Sequence, residues 1–234
     1  SITSSIVGNY AVQGTTVSST QLDVNFAYDR QMVAVFDSTT RPQRSTDGST
    51  WVPMGIDAST GVSSASSAAS GSLSTSEFEF THAYKDRGTG QISNVSTRVS
   101  TRSLTDTGAM HLEIPNSSMT HVDAIVVYAR NKTAGESVLR RASSFAQQGT
   151  TVVGQHSTVT ITSSAWSAND EAPTNHDVPE AYRHAVIWKN RWWGADSTVL
   201  NRLHFTELFQ PESWPTLFYI DLPFEKGDAI RAFV

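Results

Sequence analysis

The chain has 234 residues, 38% of them apolar, 17% charged and about a quarter Ser or Thr; that apolar content supports a packed core and argues against wholesale disorder, and the length suits one or two domains at roughly 100–200 residues each. Seventeen Lys and Arg against 22 Asp and Glu leave a net charge of −5, which disfavours a protein built to grip or read nucleic-acid phosphates. The complete lack of cysteine excludes disulfide scaffolds, Fe–S clusters and thiolate zinc sites, and no apolar run approaches the roughly 18 residues of a spanning helix, so no membrane insertion by this chain is expected.

Straight-chain helix formers are scarce while Ser, Thr and Val abound, which favours strands. Residues 1–25 carry no assignable pattern. Tyr28 to Phe36 reads as one strand ended by the Asp37–Thr40 cluster, and the Asp47-Gly48 step marks a turn before Trp51-Val52. Residues 1–60 therefore form a first group of short strands. From Ser59 to Ser76 the chain is almost wholly Ser, Ala, Gly and Thr. Such a stretch buries little apolar area against its ordering entropy, so residues 61–73 are expected to be a linker.

Beyond it the pattern sharpens. Glu77 to Tyr84 alternates polar and apolar, the period of a half-buried strand. Lys85–Gly90 is a turn, Ile92–Val99 resumes extended chain, and His111–Ile114 alternates again. Asp123–Arg130 (DAIVVYAR) is apolar enough for a central strand. Val138, Leu139 and Phe145 suit a further strand, although Val138–Gln148 is also the one segment able to coil for about two turns. Ser157–Thr162 alternates once more. Roughly six or seven short strands with regularly spaced turns give residues 74–166 the rhythm of an immunoglobulin- or fibronectin-like sandwich. Residues 167–180, acidic and holding Pro173 and Pro179, are a second connector. In 181–234 the strands are short (His184–Trp188, Arg191–Trp193, Leu203–Thr206, Phe218–Leu222), and four of the six tryptophans fall between Trp188 and Trp214.

No segment carries an enzyme signature: a nucleophile elbow, a phosphate loop and a dinucleotide fingerprint are all missing. His176, Asp177, Glu180 and His184 lie close in sequence, but in a Pro-containing connector rather than on a helix, which suits a solvated acidic loop better than a metal site. Glu207 and Glu212 are conceivable as a glycosidase carboxylate pair without any sign of a cleft. Trp188, Trp192, Trp193 and Trp214 either stack on sugars or fill a small β core, and core filling is the preferred reading. No cofactor, metal or catalytic residue is expected, and the chain is not read as an enzyme.

One set of motifs does carry a resemblance. Asn190-Arg191-Trp192-Trp193 is followed by Asn201-Arg202-Leu203-His204-Phe205-Thr206-Glu207, then Gln210-Pro211-Glu212-Ser213-Trp214-Pro215, an apolar strand and Gly227-Asp228. Asp29–Val35 with Arg41-Pro42-Gln43-Arg44 and Asp47–Trp51 looks like a second copy of the type. Between them, Phe78–Tyr84 with Asp86–Asn94, and later Tyr128-Ala129-Arg130, match a fibronectin-like insert. In this order the motifs resemble the tail nozzle and tail-hub β-propeller proteins of short-tailed bacteriophages, departing from them at the doubled Trp192-Trp193 and at Thr206.

The resemblance implies an all-β chain in which partial β-propeller blades (1–60 and 181–234) flank an inserted immunoglobulin/fibronectin-like β-sandwich. It further implies a virion structural protein of the phage tail, in a homo-oligomeric ring, commonly a hexamer, that meets adaptor or other tail proteins. DNA would pass through the ring without sequence-specific binding. An acidic balance fits such a channel, since carboxylates repel phosphates within a Debye length of about 8 Å. The competing reading is a fibronectin-type adhesin or carbohydrate-binding module. At roughly 40–45 residues per blade, the residues outside the sandwich are too few to close a propeller. The final run Ala229–Val234 reads as an uncapped strand, so further strands, from beyond Val234 or from neighbouring chains, are expected to cover it, and the isolated chain to oligomerise.

Overall fold

The computed structural model describes residues 25–28, 32–61, 63–147, 155–166, 168, 170–223 and 230. The expectations for residues 1–24, Asp29–Gln31, Gly227-Asp228 and, Ile230 apart, the final run lie outside these. In chain order the strands are β1 (Asn25–Tyr28), β2 (Val33–Phe36), β3 (Gln43–Ser45), β4 (Val52–Pro53), β5 (Ser64–Leu73), β6 (Glu77–Lys85), β7 (Ser100–Ser103), β8 (Gly108–Pro115), β9 (Ala124–Asn131), β10 (Arg140–Ala146), β11 (His156–Ile161), β12 (Tyr182–Trp188), β13 (Arg191–Asp196), β14 (Arg202–Phe205) and β15 (Tyr219–Asp221). Every regular element among the described residues is thus a strand, and the strands form four antiparallel sheets. Contacts divide them into two units, one ending at Gly55 and resuming at Asp177, the other Ile56–His176.

The first unit holds two four-stranded meanders, β1-β2-β3-β4 and β12-β13-β14-β15, in which sequence neighbours are also spatial neighbours. The expected single strand Tyr28–Phe36 is in fact two. Tyr28 pairs with Val33 in an antiparallel register that runs on to Asn25 with Phe36, so two strands face each other where one was expected. The reversal between β3 and β4, at Asp47, is capped from within. Asp47 Oδ1 accepts from Thr50 N (2.7 Å), Ser49 N (2.8 Å) and Ser45 Oγ (2.9 Å). These donors, the backbone ones foremost, hold its carboxyl well below the usual range. The two sheets share one core, with Ala27, Ala34, Phe36 and Met54 against Tyr182, Ala185, Trp192 and Trp214.

The second unit is a two-sheet sandwich with strand orders β10-β9-β6-β7 and β11-β8-β5. The alternation of β6 sends Phe78, Phe80 and Tyr84 into the core shared by both sheets, where they meet Leu112, Ile114, Ile125 and Val127. Each such side chain fully buried contributes about 1.5–3 kcal/mol. β9 is buried on both faces. Its Ile125, Val127 and Ala129 join that core, while Val126 and Tyr128 lie with Ala83 under Ile92, Val95, Leu139 and Ala172. A central position explains why this segment reads as nearly continuous hydrophobic sequence. Trp166 packs edge-on to Phe78 (6.0 Å between centroids) and donates from Nε1 to Glu136 Oε2 (3.2 Å).

One local expectation is corrected and one alternative resolved. The Ser/Ala/Gly stretch assigned as a linker at 61–73 is largely β5, running antiparallel to β8 from Ser64↔Glu113 to Ala68↔Ala109 and again at Leu73↔Gly108. Its backbone pairs with β8 on either side of a break at 69–72, and Leu73, completely buried, supplies the apolar anchor that the serines lack. Small residues are needed there: a Cβ on Gly71 would lie 2.3 Å from the Gly108 carbonyl oxygen. Of the two readings of the segment from Val138 onward, the strand is the one found: Arg140–Ala146 is an edge strand paired with β9.

Candidate functional site

The motif residues of 190–215 converge on the last meander. Asn190 and Lys189 form the two-residue turn between β12 and β13 with φ of 59° and 49°, the left-handed pair of a type I′ hairpin, for which Asn is well suited and Lys is not. Trp192 faces inward, 2% exposed, near Phe36 (5.9 Å), and its backbone N–H donates to Thr206 Oγ1 (3.0 Å). Thr206, the motif's departure from Ser, therefore still supplies the hydroxyl. Asn201 closes the opposite end by donating from Nδ2 to the Leu222 carbonyl (2.9 Å). Arg202 makes a two-point contact with Asp221 (2.7 and 3.0 Å) and lies 3.8 Å from the Tyr219 ring centroid.

The Pro-Glu-Ser-Trp-Pro segment is a buried clasp. The Pro211 carbonyl accepts from Trp214 Nε1 (3.0 Å), and the Pro215 carbonyl accepts from Phe218 N (2.8 Å). Ser213 accepts from Glu207 N (3.1 Å) through its carbonyl. Trp214 stacks on Tyr182 at 4.6 Å and 29°. Glu212, 1% exposed, accepts from Arg44 Nε (3.0 Å) and from Gly55 N (2.8 Å) at Oε2. Arg44, also buried, belongs to β3 of the other sheet. Glu212 thus ties the two meanders together by a buried charge pair, and does not line a cleft as a glycosidase acid would. A second buried pair, His204 Nε2 with Asp196 Oδ2 (3.1 Å), escaped the sequence reading. Its sole hint is the inward register of His204, between Tyr182 and Tyr219. Asp196 also accepts from Thr198 N and Val199 N (2.7 and 2.9 Å).

The tryptophans divide by face, which corrects the reading of all four as core. Trp192 and Trp214 are buried, but Trp188 is 55% exposed and Trp193 half-buried. On the outward face of β12–β15, Trp188, Trp193, Phe205 and Phe218 form a ladder with centroids 5.8, 4.9 and 5.3 Å apart, and Leu203 faces the same way by its pairing with Ala195 and Ile220. Arg191 lies 5.4 Å from the Phe205 ring and 5.9 Å from that of Phe218 and bonds the Thr206 carbonyl.

The sandwich carries a cleft of about 280 Å³ lined by Asp57, Ser59, Tyr84, Asn116, Ser117 and Met119, just below the range of typical ligand sites, roughly 300–1,000 Å³. Its Tyr84 hydroxyl already serves the Pro115 carbonyl (2.9 Å) and Ser59 Oγ (3.2 Å). His82, fully buried, shares a hydrogen bond between Nδ1 and Ser63 Oγ (2.9 Å), and burial pushes its imidazole down to about 4. His176 is held by Asn94 and the Ile92 carbonyl (2.7 and 2.8 Å). Among the described residues no cluster of three or more His, Asp or Glu has the arrangement of a metal site. No protein-family model and no curated protein matches the chain.

Proposed function

We propose that this chain is a virion structural protein of a short-tailed phage tail, a nozzle or hub component that forms part of the DNA ejection channel. The observation that carries the reading is the convergence of the motifs. Asn190–Trp193, Asn201–Phe205 and Pro211–Pro215 serve successive strands and loops of one four-stranded meander, and Glu212 of the last motif pairs with Arg44 of the earlier one. Stacked four-stranded meanders are the building principle of β-propeller blades. A chain with two of them, separated in sequence by a β-sandwich, has the parts expected of partial blades flanking an immunoglobulin/fibronectin-like insert.

In this reading the protein works mechanically. Homo-oligomerisation, commonly as a hexamer, encloses the channel; adaptor or other tail proteins hold it in place; and DNA slides through without sequence-specific contacts. Antibodies raised against the chain test the proposal. They should label the tail of purified virions, and the chain should co-sediment with portal and adaptor proteins after mild disruption of the particle. Virions devoid of the chain would refute it. The adhesin or carbohydrate-module alternative draws on the outward aromatic ladder, and would be favoured by glycan-array binding lost in Trp193→Ala.

A further inference from the structure

One end of the β12–β15 sheet gathers most of the large apolar side chains exposed among the described residues, Val199 in the β13–β14 loop lying at the other end. Of the eight large hydrophobic residues exposed among the described residues, seven fall between Trp188 and Ile220. Trp188 is 55% exposed, Leu208 48%, Phe209 71% and Leu217 82%. The registers bring them to the same end: Trp188 pairs with Arg191, Trp193 with Phe205, and Phe205 N donates to the Phe218 carbonyl (3.0 Å). Phe209 N in turn donates to the Asn190 carbonyl (3.0 Å), fastening the 207–210 turn to the β12–β13 hairpin. Phe209 is held at a φ of 60°, a left-handed conformation disfavoured for a side chain with a Cβ. Neither packing nor backbone preference accounts for an aromatic ring at that position.

Two cations flank this apolar end. Lys189 Nζ lies 4.5 Å from the Trp188 ring centroid, and Arg191 lies over Phe205 and Phe218. Arg44, Arg130 and Arg202 all hold carboxylates; Lys189 and Arg191 have no such partner among the described residues. Among the described residues the carboxylates nearby are committed or turned away. Asp177 accepts from Thr216 N and Oγ1 (2.9 and 2.8 Å), Glu212 is buried against Arg44, and Glu207 is half-buried in its own turn. The cations also cover ring faces on which a sugar or a base would have to stack. What is left open is a set of aliphatic and aromatic tips with positive charge beside them.

We propose that this end of the sheet docks onto an anionic phospholipid surface. Trp188, Leu208, Phe209 and Leu217 enter the head-group and upper acyl region, and Lys189 and Arg191 pair with lipid phosphates. Amphipathic rings favour that depth, long cationic side chains reach phosphates from it, and no segment needs to cross the bilayer. The proposal goes beyond the tail reading and does not depend on it.

Co-sedimentation of the 234-residue chain with vesicles tests it. Wild type should bind vesicles of phosphatidylcholine mixed with phosphatidylglycerol more tightly than vesicles of phosphatidylcholine alone. Phe209→Gly removes the ring and suits the left-handed backbone, so it should weaken binding about tenfold or more without lowering the melting temperature. Leu217→Ser should act in the same direction, and Lys189→Glu should erase the preference for the anionic lipid. Failure of wild type to bind either vesicle, or equal binding by Phe209→Gly and Leu217→Ser, would overturn the proposal. So would a dimer in light scattering that Phe209→Gly dissociates, which would assign the surface to a second copy of the chain.

Discussion

Replacing Glu212 by Ala removes the buried carboxylate that joins the two meanders of the first unit. Both partners are almost fully buried, at 4% and 1% side-chain exposure, so solvent cannot step in for the lost charge. Breaking a buried pair costs about 3–5 kcal/mol, and loss of the Gly55 N–H bond adds about 1 kcal/mol. Glu212 Oε1 is buried with no hydrogen-bond partner among the described residues, so the native carboxylate already carries a desolvation cost, which sets the expected loss at the lower end, about 3 kcal/mol. For a unit of this size about 4 °C accompanies each kcal/mol, so the first unit's transition should fall by about 12 °C. Differential scanning calorimetry reads this, with the sandwich transition as an internal control, because Phe80 and Trp192 belong to separate cores. The double variant Arg44→Met/Glu212→Leu replaces the pair by apolar groups and should recover most of the loss. A Glu212→Ala transition displaced by less than about 2 °C, or a double variant at the sum of the single effects, would refute the reasoning.

Other outcomes follow from the same geometry. An unfolded imidazole titrates near 6.5 and buried His82 near about 4, so between these values the unfolded chain binds a proton that the folded sandwich refuses. The sandwich should therefore keep its full stability above about pH 6.5, lose on the order of 3 kcal/mol as the pH falls, and level off below about 4; urea unfolding across this range should steepen for wild type and flatten for His82→Asn. Gly194→Ala places a Cβ 2.6 Å from the Tyr182 ring, which is stacked on Trp214, and should lower the first unit's stability by about 1–3 kcal/mol in thermal melts. Alternate amides within residues 64–68 should exchange slowly with deuterium, because β5 is an edge strand whose only ladder there is with β8; exchange of all of them at unprotected rates would return the segment to a linker.

The alternation of Glu77–Tyr84 and the apolar run at 124–130 were enough to predict strands, because a side-chain period of two leaves its mark on any half-buried strand. Composition likewise pointed to an all-β chain. Ser64–Leu73 shows the limit: a strand can owe its existence to a neighbour's backbone, and a partner strand that lies beyond β6 and β7 in sequence leaves no trace in local composition. The tryptophans show another. Trp192 and Trp193 are adjacent and chemically identical, yet the pleat sends one into the core and the other outward, and only the register against Phe205 says which. The charge pair of Arg44 with Glu212 spans 168 positions in sequence. Both residues stand in motifs that the sequence displays, but their meeting depends on the packing of one meander upon the other. Sequence determined which segments extend; tertiary structure decided what each face touches, since burial and pairing are properties of neighbours rather than of residues.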